Sequence, residues 1–214
     1  QIRMLRDRFA IEPGEVDLPM LPVFALFNPA LGMTIVLPEM NPSRPATVNP
    51  ARIVAAVERY QVTNSFGSPV LWSKIGGYCE RERRKLPSLR RILVAGAAAP
   101  TRLYRQFSAL LPNGSMYSPY GATECLPVSV ICGDEAIAET SARTDRGEGI
   151  CVGRPVDGVE VRIIDPDGDS PGESLPKGDV GEILVTGPSV TKAYDALPEA
   201  TARAKIEIGG RTWY

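Results

Sequence analysis

The segment SPYGATE, residues 118–124, places an aromatic ring, a residue without a side chain, a hydroxyl and a carboxylate close together. Tyr120 can stack on a purine ring, and Gly121 lets a ligand approach the backbone. The Thr123 hydroxyl can donate to a phosphate oxygen, and Glu124 can hold a hard cation such as Mg²⁺. These residues predict a site for a nucleotide and its metal ion. The alternative is a capped turn in which Glu124 forms an ion pair.

A second stretch, AGAAAP at residues 95–100, has almost no side-chain bulk and follows the apolar run RRILV. The run predicts a buried strand. Ligands of open parallel α/β sheets bind beyond the carboxyl ends of the strands. We therefore expect Gly96, Ala97 and Ala98 to present bare backbone, against which a flat ring can lie.

The absence of histidine and the scattered positions of the cysteines exclude several kinds of chemistry. The 214 residues include no histidine, so catalysis by Ser-His-Asp or Cys-His groups within them is excluded. The four cysteines form no CxxC pair, so we predict neither a zinc site nor a disulfide framework, and we expect reduced thiols in the cytoplasm. The net charge of −1 indicates no nucleic-acid partner. No apolar run is long enough for a transmembrane segment.

The order of the predicted elements favours an α/β fold with a parallel sheet flanked by helices. Helices are predicted at residues 1–10, at 50–62 with Asn49 as N-cap, at 70–90 with a break at Gly76 and Gly77, and at 100–112. Strands are predicted in TIVLP as a buried strand, in TNSFG, in RRILV and at the start of GSMYSPYGATE, whose end is expected to be a loop.

The pattern changes near Gly149, where period-two alternation around Gly, Asp and Pro turns begins. This pattern is typical of β-hairpins. We therefore divide the chain into a central α/β part, residues 1–148, and a smaller β-rich subdomain, residues 149–214. The last residues, GGRTWY, are expected to belong to a further hairpin.

YGATE, preceded by LVAGAAAP and followed by VGRPVDGVEVRIID and GDVGEILVTGPSVTKAY, resembles the adenylate-forming superfamily of acyl-CoA synthetases, luciferases and peptide-synthetase adenylation domains. The resemblance implies use of ATP and Mg²⁺ to join a carboxylic acid to AMP with release of pyrophosphate. It also implies that Gly96, Ala97, Ala98 and Tyr120 border the adenine, that Thr123 meets the α-phosphate and that Glu124 binds Mg²⁺.

Within that superfamily, FALFNPALG, NPSRPA, FGSP and PYGATECLPVSV are similar to the olefin-biosynthesis β-lactone synthetases. This resemblance implies that a long-chain β-hydroxy acid is adenylated and then closes to a β-lactone without coenzyme A. It also leaves open an association with other enzymes of the same pathway. An ordinary acyl-CoA synthetase or acyl-carrier-protein ligase is the first alternative, and a non-catalytic binding module with a nucleotide fold is the second.

The family places two loops of this chain beside the acyl group. The residues predicted to contact the substrate are Phe24, Phe27, Asn28, Phe66, Gly67 and Ser68. Plain core packing is the alternative for Phe24 and Phe66. The resemblance further implies a phosphate loop before Gln1 and a ribose-binding aspartate after Tyr214. We therefore expect the 214 residues by themselves to be inactive.

Overall fold

The computed structural model describes residues 1–168 and 172–214, with the backbone alone described at residues 22–24. Its helices are α1 Ile2–Phe9, α2 Asn28–Leu31, α3 Pro50–Tyr60, α4 Pro69–Arg81, α5 Thr101–Leu110, α6 Gly133–Glu135, α7 Ser141–Asp145 and α8 Pro198–Ala204. Two 3₁₀ helices and one π-helix complete the helical segments, at Pro22–Phe27, Pro45–Thr47 and Ala136–Thr140.

The strands of the first part of the chain are β1 Val16–Pro19, β2 Thr34–Ile35, β3 Asn64–Gly67, β4 Arg91–Val94, β5 Ser115–Ala122, β6 Cys125–Cys132 and β7 Arg154–Pro155. Those of the last part are β8 Glu160–Ile164, β9 Glu182–Thr186, β10 Ile206–Ile208 and β11 Arg211–Trp213. Sequence reasoning did not predict β1, β6 or the helices between residues 133 and 145.

Two of the helices begin where a polar residue precedes a proline. Asn49 Oδ1 accepts a hydrogen bond from the Ala51 amide at 3.0 Å, and Ser68 Oγ accepts one from the Leu71 amide at 3.4 Å. Proline at the first helical position loses no hydrogen bond, because that amide has no intrahelical partner. The predicted cap of α3 at Asn49 is therefore confirmed.

Seven strands form the main sheet, in the order β2-β1-β3-β4-β5-β6-β7. The pairs from β2 to β5 are all parallel. Pro19 is in register with Phe66, and Gly67 with Val94, so β1, β3 and β4 end at the same edge. The predicted parallel sheet flanked by helices is confirmed.

The chain folds as two compact units. The α/β unit comprises Ile2–Pro119 and Val130–Gly153, and the β-rich unit comprises Gln1, Tyr120–Ser129 and Arg154–Tyr214. Strands β5 and β6 each pass from one unit into the other. The division at Gly149 remains a prediction about the domains of the protein.

The core of the α/β unit lies where α4 and α5 pack beside each other. The Trp72 and Phe107 rings meet edge to face with centroids 5.4 Å apart, and both side chains are fully buried. Burial of side chains of this size stabilises the unit by roughly 1.5–3 kcal/mol each. None of the described helices is long and apolar enough to cross a bilayer.

The predicted break at Gly76 and Gly77 is wrong, because α4 is continuous from Pro69 to Arg81. The Gln106 side chain of α5 occupies the position where a Cβ of residue 76 would lie. A glycine in a helix costs about 1 kcal/mol, and burial of the apolar face of α4 outweighs that cost. The atoms of Gln106 at that position are the end of a flexible side chain, and the missing Cβ of Gly77 has no neighbour within 4 Å.

Two strand predictions are also wrong. TIVLP was expected to be a buried strand, but β2 has only two residues, one exposed and one half-buried, because it lies at the edge of the sheet. The end of GSMYSPYGATE was expected to be a loop, but β5 continues to Ala122. Pairing with β6, which sequence reasoning missed, extends the strand.

The β-rich unit contains two antiparallel pairs, β8 with β9 and β10 with β11, as the alternation predicted. Val185 and Tyr214 exchange two backbone hydrogen bonds of 2.8 and 2.9 Å. Trp213 is buried, and the Arg162 guanidinium lies 4.2 Å from the centre of its ring. The hairpin at GGRTWY is thereby attached to β9.

Candidate functional site

The candidate site in the β-rich unit is the two-residue turn Thr123–Glu124, which joins β5 to β6. A Cβ added at Gly121 would lie 2.5 Å from the Cys125 carbonyl oxygen. Only glycine fits there, since that backbone atom cannot move without disturbing the pairing. The Gly121 predicted to admit a ligand is thus also required by the hairpin itself.

The side chains around this turn are open to a ligand. Tyr120 is 37% exposed, and Gly121 and Thr123 are exposed. A tyrosine with one free face can stack on a base, and an exposed hydroxyl can donate to an anion. The four residues predicted from SPYGATE thus lie at the end of β5 and in the turn that follows it.

Glu124 is held at two points by the segment that precedes α8. Its Oε1 accepts a hydrogen bond from the Tyr194 hydroxyl at 2.6 Å, and its backbone carbonyl accepts one from the Thr191 amide at 2.8 Å. The Tyr194 hydrogen bond is the main reason why the pKa of Glu124 lies below its ordinary value. The same bond raises the pKa of Tyr194 to about 12.

These contacts bear on the two interpretations of Glu124, which are a metal ligand and an ion-pair partner in a capped turn. The hydrogen-bond partner of its carboxylate is a neutral hydroxyl, whereas the structural alternative expected an ion pair. A low pKa keeps the carboxylate charged at neutral pH, which is the state that a metal ligand requires.

Two further groups lie near Glu124. Lys205 Nζ donates to Thr191 Oγ1 at 3.2 Å and lies 5.1 Å from the centre of the Tyr214 ring. Burial lowers the pKa of Lys205, although the negative charge of Glu124 opposes that shift. Burial also raises the pKa of Tyr214, with Glu124 adding to it.

Sequence reasoning assigned no role to Tyr194, Lys205 or Tyr214. Tyr194 lies 70 residues from Glu124, and no local spacing connects the two positions. The only available signal was the stretch GPSVTKAY, which carried the family resemblance as a pattern without a role for its tyrosine.

In the α/β unit, the residues predicted to present bare backbone lie in the loop between β4 and α5. Gly96, Ala97 and Ala98 are all exposed. Gly96 has a φ of +88°, and the position of its missing Cβ has no neighbour within 4 Å. Glycine is therefore needed for the left-handed backbone, and the loop leaves open space beside it.

The predicted residues Phe66, Gly67 and Ser68 lie at the carboxyl end of β3. Phe66 is 4% exposed, as core packing would require. A Cβ at Gly67 would lie 2.6 Å from Met20 Cε and 2.9 Å from Trp72 Nε1. Ser68 caps α4. Because Gly67 is in register with Val94, these residues neighbour the start of the exposed loop.

The other predicted substrate residues lie on the helical segment after β1. Phe27 is half-buried, and the Phe24 side chain lies outside the described part of the structure. Asn28 is buried, and its Nδ2 donates to Asp17 Oδ2 at 2.6 Å. Asn64 donates to the other carboxylate oxygen of Asp17. The Asn28 amide thus has a partner within the protein.

The groups around Glu124 suit a magnesium ion that is shared with a nucleotide. No cluster of three or more His, Cys, Asp or Glu side chains that could hold a metal occurs among residues 1–168 and 172–214. Mg²⁺ is commonly held by one or two carboxylates together with substrate phosphates. One charged carboxylate beside an exposed hydroxyl fits that arrangement.

Comparison with known proteins identifies the family to which the chain belongs. The family described as AMP-binding enzyme matches residues 20–195. An olefin β-lactone synthetase from Stenotrophomonas maltophilia (strain K279a) is 46% identical over 213 residues, which are 96% of this chain and 38% of that protein. The 4-coumarate–CoA ligase 2 of Oryza sativa subsp. japonica is 32% identical over 202 residues, which are 92% of this chain and 33% of the ligase.

A solved structure has the same fold over the whole length of this chain. A nonribosomal peptide synthetase, FmoA3, with α-methyl-L-serine-AMP bound superposes with a TM-score of 0.83 and 24% identity. The match covers 100% of this chain and 24% of that one. At this identity the likeness shows the fold alone. The chain spans 38% and 33% of the lengths of these two relatives.

Proposed function

This chain belongs to the AMP-binding enzyme family, and we propose that the whole protein uses ATP to activate a carboxylic acid as its acyl-adenylate. The preferred substrate is a long-chain β-hydroxy acid, which the protein closes to a β-lactone with release of AMP. The 46% identity to an olefin β-lactone synthetase supports this choice of substrate. The observation that carries the activation step is the Thr123–Glu124 turn, with its charged carboxylate and exposed hydroxyl.

In the β-rich unit, Tyr120 stacks on the adenine and Gly121 admits it to the backbone. Thr123 donates to the α-phosphate, and Glu124 is the protein ligand of Mg²⁺. When bound, Mg²⁺ neutralises charge on the phosphates and on the departing pyrophosphate. The exposure of Tyr120 and Thr123 and the hydrogen bond that Tyr194 donates to the Glu124 carboxylate support these roles.

In the α/β unit, the backbone of Gly96, Ala97 and Ala98 borders the adenine. The acyl group contacts residues from the two segments that follow β1 and β3. The residues proposed for this contact are Phe24, Phe27, Asn28, Phe66, Gly67 and Ser68. Their position at or after the carboxyl ends of the parallel strands β1 and β3 supports the assignment.

The proposed reaction has two steps. In the first, a carboxylate oxygen attacks the α-phosphorus of ATP, and pyrophosphate leaves. In the second, the β-hydroxyl of the same acid attacks its activated carbonyl carbon, the hydroxyl proton passes to solvent, and AMP leaves. Holding the hydroxyl close to the carbonyl supplies a high effective concentration, so the second step requires no coenzyme A.

The test is to incubate the whole protein with ATP, Mg²⁺ and a long-chain β-hydroxy acid in the absence of coenzyme A. We expect equal amounts of pyrophosphate, AMP and β-lactone, measured by phosphate assay and mass spectrometry. The same acid without its β-hydroxyl is the matched control, and it should stop at the adenylate. Failure to form lactone, with product appearing only when coenzyme A is added, would contradict the proposed cyclisation.

An acyl-CoA synthetase or acyl-carrier-protein ligase is the second candidate. The 32% identity to a 4-coumarate–CoA ligase favours it, and dependence of the product on coenzyme A or a carrier protein would identify it. Absence of pyrophosphate release under every condition would instead indicate a binding module without catalysis.

A cytoplasmic location belongs to the same proposal. All four cysteines are free thiols, which supports a reducing compartment. Association with other enzymes that make the β-hydroxy acid or consume the lactone is also proposed, because the strained product is reactive. Co-purification of the whole protein with such enzymes would test it.

A further inference from the structure

The hydroxyl of Tyr194 donates a hydrogen bond of 2.6 Å to Oε1 of the Glu124 carboxylate, and the Tyr214 hydroxyl interacts with the same carboxylate. The same segment also binds the Glu124 backbone, through the Thr191 amide at 2.8 Å. The segment from Thr191 to Tyr194 therefore contacts both the backbone and the carboxylate of Glu124.

Tyr194 is itself anchored. Its amide donates to Thr201 Oγ1 at 3.0 Å, and Thr201 Oγ1 in turn donates to the Leu197 carbonyl at 3.0 Å. Thr201 lies in α8, so the backbone of Tyr194 is tied to the first turns of that helix. Because the backbone of Tyr194 is fixed in this way, its side chain can restrain the carboxylate that accepts from its hydroxyl.

The geometry also leaves the carboxylate able to bind a cation. A tyrosine hydroxyl has one proton to donate, and it donates that proton to Oε1. Hydrogen bonds to charged acceptors are short and strong. Mg²⁺ requires near-octahedral ligand positions at fixed distances, so a carboxylate that is already oriented binds it with less loss of side-chain freedom.

We propose that Tyr194 is a positioning residue, which orients Glu124 for the metal–nucleotide complex. This inference rests on the proposed role of Glu124 as the Mg²⁺ ligand. Tyr194 acts through the carboxylate and contacts neither the metal nor the acyl group. Groups that orient a ligating side chain typically contribute 10- to 100-fold to metal affinity.

The experiment measures binding, without catalysis, in the whole protein. The affinity for a non-hydrolysable ATP analogue is determined by calorimetry with saturating Mg²⁺ and again with EDTA. The ratio of the two affinities is the coupling between metal and nucleotide. The variants are Tyr194→Phe, Glu124→Gln and the double variant. Tyr60→Phe, an exposed tyrosine on α3, is the matched control for loss of a hydroxyl.

We expect Tyr194→Phe to reduce the coupling about tenfold and to leave the affinity in EDTA unchanged. Tyr60→Phe should behave as the wild type. The double variant should show the same coupling as Glu124→Gln, because Tyr194 has no effect once its acceptor is no longer a metal ligand. Melting curves of all four variants should lie within a few degrees of the wild type, since the ring is retained.

The possible results separate the two proposals. Normal coupling in Tyr194→Phe, together with lost coupling in Glu124→Gln, would overturn the positioning role and leave the metal assignment intact. Normal coupling in Glu124→Gln would overturn the metal assignment itself. A double variant that is weaker than Glu124→Gln, or a Tyr194→Phe loss that is equal in EDTA, would show that Tyr194 acts other than through Glu124.

Discussion

Asp17 in the α/β unit and Glu124 in the β-rich unit are both held by neutral donors, yet their acidities move in opposite directions. Asp17 is 2% exposed, and burial raises its pKa from 3.8 to about 6 although Asn28 and Asn64 oppose the shift. Glu124 lies at a turn beside exposed residues, and the hydrogen bond from Tyr194 lowers its pKa. Burial therefore decides the direction of the pKa shift. It makes the charged form of Asp17 unfavourable, whereas the carboxylate of Glu124 stays charged and available to a ligand.

The difference indicates separate roles. Asp17 joins β1 to β3 through Asn64 and to α2 through Asn28. Both of its carboxylate oxygens therefore accept hydrogen bonds from within the fold. Asn64 Oδ1 is a buried acceptor without a hydrogen-bond partner among the described residues. Rotation of that amide would let it accept the proton of a neutral Asp17, since the two ends of an amide are assigned from their hydrogen bonds.

The largest expected effect is on the pH dependence of stability. Because the folded-state pKa of Asp17 is raised from 3.8 to about 6, its contribution to the free energy of unfolding is fully present below pH 3.8. It is then lost as the pH rises through about 6, and the total is about 3 kcal/mol. The variant Asp17→Asn has no such loss, because the amide stays neutral and a rotated Asn64 can pair with it.

The measurement is urea unfolding of wild type and Asp17→Asn at several pH values between 4 and 7. The experiment uses the 214-residue chain, and both proteins carry Trp213→Phe, so that Trp72, the other tryptophan of these 214 residues, reports on the α/β unit alone. The stability of Asp17→Asn relative to wild type should rise across this range. A constant difference would mean that Asp17 has an ordinary pKa in the folded state.

The second prediction concerns the other carboxylate. Glu124→Gln in the whole protein should lower the rate of pyrophosphate release about 100-fold, or ~2.7 kcal/mol, because the metal then lacks its charged ligand during departure of pyrophosphate. The melting temperature should change little, since the amide oxygen can still accept from Tyr194. Normal pyrophosphate release with a melting temperature several degrees lower would make Glu124 a structural residue.

The third prediction separates a structural Asn28 from a substrate contact. Asn28→Ala removes a hydrogen bond to a buried charged group, so we expect a loss of about 2 kcal/mol in unfolding free energy at pH 7. The loss should shrink at pH 4, where Asp17 is protonated. Urea unfolding in the Trp213→Phe background measures both values. Unchanged stability combined with a higher KM for the acid would instead favour the proposed contact with the substrate.

The smallest effect is expected at the adenine. Tyr120→Ala should raise the KM for ATP about tenfold through loss of stacking, while kcat stays near its wild-type value because stacking is equal in the ground and transition states. Steady-state kinetics at varied ATP measures both constants. A large fall in kcat at saturating ATP would show that Tyr120 has another role.

Sequence reasoning predicted the parallel α/β fold, the Asn49 cap and both late hairpins, because each depends on local propensity or on a short repeat. It was wrong about α4, where the environment of Gly76 includes a side chain 30 positions away. It was also wrong about TIVLP, since a short apolar run does not show whether a strand is central or at an edge.

The sequence by itself determined which chemical groups could bind a nucleotide. These groups are close together in every fold because they are neighbours in the chain: Tyr120, Gly121, Thr123 and Glu124. Only the tertiary structure decided which hydrogen-bond partners these groups have and how acidic the carboxyl group is. The partner of Glu124 comes from Tyr194, 70 residues later, and the partners of Asp17 come from α2 and β3. The acidity of a carboxyl group depends on burial and on donors brought from distant segments, and neither can be read from neighbouring residues.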